Sequence, residues 1–190
     1  MEEYLKRYGV DLNQESPILV PGFSRTKDLP KLFKHLGLVR GAEIGVGGGN
    51  NARRLCRVTT EFICVDSYNA MTNPQKGFEY TAGKHKEREQ RARERLKDFN
   101  VRFIIKSSMD AVKDIPMESL DFVYVDANHT RKCAKEDLEE WSKRVRPGGI
   151  VSGHDYINNA NCGVKDAVDE YATGRWFITS DGMPSYFWMK

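Results

Sequence analysis

Two short pairs in this 190-residue chain offer acid–base chemistry: Asp126 with His129, and His154 with Asp155. In each pair a carboxylate lies within three residues of an imidazole. An imidazole with its ordinary pKa of about 6.5 exchanges a proton at neutral pH, so His129 and His154 are both candidate bases. Each could instead only orient its neighbouring carboxylate.

A second chemistry is written in Ala42 to Asn51, AEIGVGGGNN, where a short apolar run ends in a glycine cluster and a helix-like stretch follows. Without a Cβ, Gly45, Gly47 and Gly49 let a ligand approach bare backbone. The helix beginning there aims unpaired N–H groups at that ligand, which is how a nucleotide-like cofactor is held after a first parallel strand. Glu43 lies inside the apolar run, where a carboxylate is costly unless paired. Asp66 follows the next apolar strand, Phe62 to Val65, at the place where an acid accepts hydrogen bonds from a ribose.

These residues need elements to bring them together. Apolar runs predict strands at 42–46, 62–65, 102–105, 120–125 and 150–153. Helical spacing predicts helices at 26–36, capped by Ser24 and ended by Gly37, and at 52–58, 84–99, 130–145 and 164–172. Trp176 to Thr179, the turn signal Asp181-Gly182, and Tyr186 to Met189 read as a terminal hairpin. A short helix at Glu3 to Tyr8, a loop at Pro17 to Phe23 and a turn at Pro147-Gly148-Gly149 complete the pattern. Alternating strands and helices imply a doubly wound, mostly parallel sheet, and with the hairpin it counts seven strands. Chemistry in such sheets collects at the carboxyl ends of the strands. Gly45 to Gly49, Asp66, Ser107 to Asp110, Asp126 to His129 and His154 to Tyr156 all fall on that one edge.

Length suits a single domain, 1–190, with an N-terminal helical segment at 1–40. Residues 67–99 form a lid-like loop followed by a basic helix whose mixed charges suit a solvated face. A net charge of +3 does not by itself point to nucleic acid. Cys56, Cys64, Cys133 and Cys162 show no zinc-ligand spacing, which predicts reduced thiols and a cytoplasmic protein. No apolar run approaches the ~18 residues of a membrane span, and the first residues lack the apolar core of a signal peptide.

Glu43-x-Gly45-x-Gly47-x-Gly49 with Asp66 resembles the class I S-adenosylmethionine-dependent methyltransferases, whose fold is Rossmann-like. The runs Asp121 to His129, Arg146 to Gly149, Gly153 to Tyr156 and Gly163 to Val168 are similar to a small-molecule O-methyltransferase subgroup that includes macrocin-type and cephalosporin-hydroxylase-like proteins. The resemblance implies S-adenosylmethionine as cofactor. It places the methionine part on Gly45, Gly47 and Gly49, the ribose on Asp66, the ammonium end near Glu43, and the adenine beside Ser108 and Met109. It implies transfer to a small-molecule acceptor, a sugar or phenol-like hydroxyl, with a homodimer as a compatible assembly. Metal-dependent relatives hold a divalent cation with carboxylates at the strand ends where Asp126 and Asp155 stand, so the resemblance makes these two the candidate metal ligands; hard oxygens suit Mg2+, and His154, in place of an acid often found there, moves the preference toward a transition metal. The rival readings are a nucleotide- or NAD-binding Rossmann protein, since Gly47-x-Gly49-x-x-Ala52 fits a dinucleotide loop, and an RNA-directed methyltransferase resting on the basic helix.

Overall fold

The computed structural model describes residues 1–68 and 82–190. Strands β2 (Arg40–Ile44), β3 (Glu61–Val65), β4 (Val101–Ile104), β5 (Leu120–Val125) and β6 (Val145–Gly153) run parallel. A separate antiparallel pair, β7 (Asn158–Asn159) and β8 (Cys162–Gly163), follows β6, and the terminal hairpin, β9 (Trp176–Ile178) and β10 (Tyr186–Met189), joins the parallel strands through the antiparallel pairing of β10 with β6. Among the described residues this sheet has eight strands, one more than expected. The extra strand is β1 (Ile18–Leu19), which pairs with β9 inside the stretch expected to be a loop. Two residues carry no periodicity, so only the tertiary pairing reveals it. The segment 1–40 is thus helix α1 (Glu2–Leu5), this edge strand and helix α2 (Asp28–His35), rather than helical alone.

The strands are apolar on both faces because both faces are covered. Phe62, Cys64, Phe122 and Tyr124 enter one core with α2 and helix α3 (Asn50–Cys56). Ile63, Val65, Val123 and Val125 enter the other, with Leu138 and Trp141 of helix α6 (Arg131–Ser142) and Val164 and Val168 of helix α7 (Val164–Tyr171). Thr130 caps α6 as expected, accepting from the Cys133 N–H. Ser24 does not cap α2 with its side chain; the Asp28 carboxylate instead reaches back to accept from the Ser24 N–H at 3.0 Å. Pro147-Gly148-Gly149 proves to be an irregularity within β6, where the register against β5 shifts.

The sheet order is β1-β9-β10-β6-β5-β2-β3-β4. Its topological switch therefore lies between β2 and β5, and a ligand crevice opens above their carboxyl ends. The basic helix is α4 (Ala82–Leu96). The loop expected to act as a lid lies almost wholly outside the described residues.

Candidate active site

The glycine loop is shaped by backbone sterics. Gly45 has φ +91°, and a Cβ there would collide with the carbonyl of Asp126 on the neighbouring strand end. Glycine is thus required both by conformation and by the close approach of two strands. The Asp126 N–H donates to Ile44 O at 2.7 Å and the Gly45 N–H to Val65 O at 2.8 Å, so β2, β3 and β5 stay in register up to the crevice. A Cβ at Gly47 would meet the Arg88 guanidinium, and one at Gly49 would lie 3.0 Å from the Ala92 Cα. One face of α4 therefore lies on the loop, and Arg95 donates to Gly48 O. The bland view of this helix as a solvated face holds for its other side, where Arg91–Glu87 and Arg93–Glu89 form exposed i,i+4 pairs.

Asp66 braces the loop from the next strand. Its Oδ2 accepts from the Gly47 N–H at 2.8 Å and its Oδ1 from the Tyr68 N–H at 2.9 Å. Each oxygen keeps a lone pair for a further donor. Glu43 is 1% exposed. Its Oε1 accepts from Asn51 Nδ2 at 2.9 Å, tying the strand to the start of α3, while Oε2 is buried without a partner. Burial pushes the carboxyl up to about 8 against the pull of the Asn51 hydrogen bond, and the charges of Asp126 and Asp66 push the same way.

A cleft of about 430 Å3 opens above these strand ends. Among the residues lining it are Gly45, Gly47, Asp66, Ser108, Met109 and Asp126, six of the positions singled out from sequence. Glu43, Gly49, His129, His154 and Asp155 do not line it.

Asp126 links the cleft to the charged edge. His129 Nε2 lies 3.4 Å from Asp126 Oδ1 and 3.0 Å from Asp155 Oδ2. His154 Nδ1 lies 3.7 Å from Asp126 Oδ1 and 3.0 Å from Asp155 Oδ1. All four expected residues thus meet, with two imidazoles interleaved between two carboxylates. Hydrogen bonds to Asp126 and Asp155 raise His129 to about 10 against its burial. Burial pulls His154 down, yet the same two carboxylates bring it up to about 9. Burial likewise opposes ionisation of Asp155, but the two rings hold its carboxyl well below the usual range. The expectation of an unperturbed imidazole is thereby corrected: the two carboxylates favour the protonated form of both rings. Asp126, His154 and Asp155 each offer one ligand atom, all within 4.8 Å of one another. Asp155 has φ +53°, a strained conformation for a side chain-bearing residue, and such strain concentrates at functional sites.

Sequence reasoning missed Asp137, which lines the cleft at 3% exposure. The signal was present: Ala134, Leu138 and Trp141 form the buried stripe of α6, and Asp137 sits within it. An acid in a buried stripe needs a partner. His85, Arg88 and Lys106, also on the cleft wall, gave no such signal among the many charges around them.

Among the described residues no helix is long and apolar enough to cross a membrane. No curated protein sequence matches the chain significantly. The fold is similar to that of an O-methyltransferase from Bacillus cereus in complex with SAH, at a TM-score of 0.63 and 16% identity over 100% of this chain and 88% of that one. It is similar to TomG from Streptomyces achromogenes, an O-methyltransferase involved in tomaymycin synthesis and solved with SAM, at 0.59 and 15% over 85% and 78%. Spermidine synthase from Thermotoga maritima also aligns, at 0.57 and 12% over 84% and 56%. At these identities the likeness speaks for the fold alone. The family assignment comes from sequence: the Methyltransf_24 model, a methyltransferase domain, matches residues 42–156, from the glycine-loop strand through the His154–Asp155 turn. The chain belongs to that family and is a class I methyltransferase.

Proposed function

We propose that the protein transfers the methyl group of S-adenosylmethionine to a hydroxyl of a small acceptor, a sugar or a phenol-like ring. One observation carries the reading: Asp126 lines the cleft beside Gly45 and also joins the cluster of His129, His154 and Asp155. The residues fit the cofactor. The cleft volume lies within the range of small-molecule sites, Asp66 has lone pairs free for the two ribose hydroxyls, and the glycine loop offers bare backbone to the methionine part. Related folds solved with SAH and SAM support the same ligand.

S-adenosylmethionine supplies a methyl group on a positively charged sulfur that an oxygen displaces in line. The chain aligns the acceptor oxygen with that carbon and receives its proton. Asp126, on the cleft wall, would take the acceptor's hydroxyl proton on its carboxylate. His129 and His154 hold Asp126 and Asp155 in place. Once His154 gives up its ring proton, the donor set of Asp126, His154 and Asp155 would also fit a divalent cation, Mg2+ or, with imidazole present, Mn2+. Such a cation would lower the pKa of an acceptor hydroxyl.

Tritiated S-adenosylmethionine offered with pools of sugars, phenols and RNA, with and without EDTA, tests the proposal. Label should pass to a hydroxyl pool and depend little on salt. Loss under EDTA with recovery in Mg2+ or Mn2+ assigns the cation a part; persistence leaves the proton to Asp126 alone. Label passing only to RNA, with steep salt dependence, overturns the reading.

A further inference from the structure

Ser108, which opens helix α5 (Ser108–Ala111) on the cleft wall, is fixed there by Asp137 of α6. The charged edge has an anchor of its own, one residue past Asp155. Asp155 sits at φ +53°, a conformation that persists only where the surroundings hold it. On one side the His154 N–H donates to Val125 O at 2.9 Å, and on the other the Tyr156 N–H donates to Pro184 O at 2.9 Å. The Ile157 N–H then turns back to Asp155 O at 2.6 Å. The backbone of Asp155 is therefore held through both of its neighbours.

Tyr156 carries the second of these holds into the core. It is 6% exposed, and its ring meets Trp176 of β9 edge-on, with 5.2 Å between centroids. Its hydroxyl donates to Asp169 Oδ1 at 2.6 Å. The Lys165 ammonium lies 5.3 Å from the ring centroid and pairs with the other oxygen of Asp169. Lys165 and Asp169 both belong to α7. That helix thus grips Tyr156 by its ring and hydroxyl, while Pro184 grips it by its backbone.

The chain leading into α7 reaches the edge a second time. Gly163, the last residue of β8, donates its N–H to His129 O at 2.8 Å. A Cβ on Gly163 would lie 2.7 Å from the Arg131 Cβ and 3.0 Å from the Arg131 N, so glycine lets the two backbones come this close. Residues 155–163 therefore run from the backbone of Asp155 to that of His129, with both ends tied to α7. Between those ends Asp155 Oδ2 stands 3.0 Å from His129 Nε2.

We propose that Tyr156 is a positioning residue: held by Asp169, it fixes the Asp155 backbone so that the Asp155 carboxylate lies between His129 and His154. The Tyr156 hydroxyl touches no reacting atom and acts through Asp155. Its part in methyl transfer rests on the reading that the charged edge serves that reaction.

A buried tyrosine hydroxyl needs a partner in any core, so the test separates placement from packing. The nitrogen NMR signals of the His129 and His154 rings, recorded at one pH, report where the Asp155 carboxylate lies. Tyr156→Phe, which removes only the hydroxyl, should shift the signals of both rings. Tyr171→Phe, which removes a hydroxyl bond between α7 and Ser142, should leave them where the wild type has them. Asp169→Ala should reproduce the shift and covers the case of a misfolded Tyr156→Phe. Asp169→Asn, which keeps an acceptor for the hydroxyl, should restore the wild-type signals. With tritiated S-adenosylmethionine and a hydroxyl pool, Tyr156→Phe should transfer label roughly 10- to 100-fold more slowly, the scale for a displaced group near the chemistry. Its affinity for S-adenosylhomocysteine should stay that of the wild type. Wild-type ring signals in both Tyr156→Phe and Asp169→Ala overturn the proposal, as do an equal shift in Tyr171→Phe and undiminished label transfer by Tyr156→Phe. Shifted signals with no label transferred by the wild type overturn the methyl-transfer reading instead and leave the anchor standing.

Discussion

The glycine loop, past β2, and the charged edge, past β5 and β6, sit side by side, but they are held by different forces. At Gly45 and Gly49 the constraint is steric, the backbone of Asp126 and of Ala92 standing close to where a Cβ would lie, in each case at a positive φ. At Asp126, His129, His154 and Asp155 it is electrostatic, four ionisable groups balancing one another. A steric constraint does not titrate and does not relax, whereas an ionic one depends on pH. The loop should therefore fail all at once when altered, and the edge should weaken in a graded, pH-dependent way.

The sharpest break in that comparison is Gly45→Ala. The added carbon meets the Asp126 carbonyl in a backbone conformation that disfavours it. A loss of about 3 kcal/mol or more is expected from combined strain and overlap, read as a lower urea midpoint. An unchanged midpoint would show that the loop is softer than its geometry implies.

Asp66→Ala should come next. It removes an acceptor for ligand hydroxyls together with the brace on the Gly47 N–H. The expected loss of affinity for S-adenosylhomocysteine is roughly 1.5–3 kcal/mol, as for other hydrogen bonds to charged groups. Unaltered affinity by calorimetry would remove Asp66 from the site.

The charged edge gives the smallest effect, and its sign follows from the pKa shifts. His129 and His154 are raised from 6.5 to about 10 and about 9, so the folded chain holds those protons more tightly than the unfolded one. Their contribution to stability is complete below about 6.5 and is lost as pH rises through 9 to 10. Asp155, shifted down, contributes above its ordinary range and loses that contribution in acid. His129→Gln should therefore melt a few degrees below the wild type near pH 6, at roughly 2–4 °C per kcal/mol for a chain of this size. The gap should close by pH 10. A gap independent of pH would mean that the ring contributes packing rather than charge.

Much of this contrast was legible in the sequence because it lies where local signals are strong. Strand carboxyl ends follow apolar runs, so Gly45, Asp66, Asp126 and Asp155 could be placed on one edge before any packing was known. The meeting of both histidines with both carboxylates follows from β5 and β6 being neighbours. What local patterns could not show was commitment. Ser108, expected beside an adenine, spends its hydroxyl on Asp137 and accepts from Trp141. The perturbation of each imidazole depends on a carboxylate distant in the chain as well as on its sequence neighbour. Ala92, the small residue that lets α4 lie on Gly49, was hidden among charges, and β1 was too short to carry a pattern.

The most direct measurement is calorimetric titration of the wild-type protein with S-adenosylhomocysteine and, separately, with NADH. Binding of S-adenosylhomocysteine at one site per chain, with no heat from NADH, is the expected result. Binding of NADH with none of S-adenosylhomocysteine would contradict the assignment of the glycine loop and Asp66 to a methyl-donor cofactor.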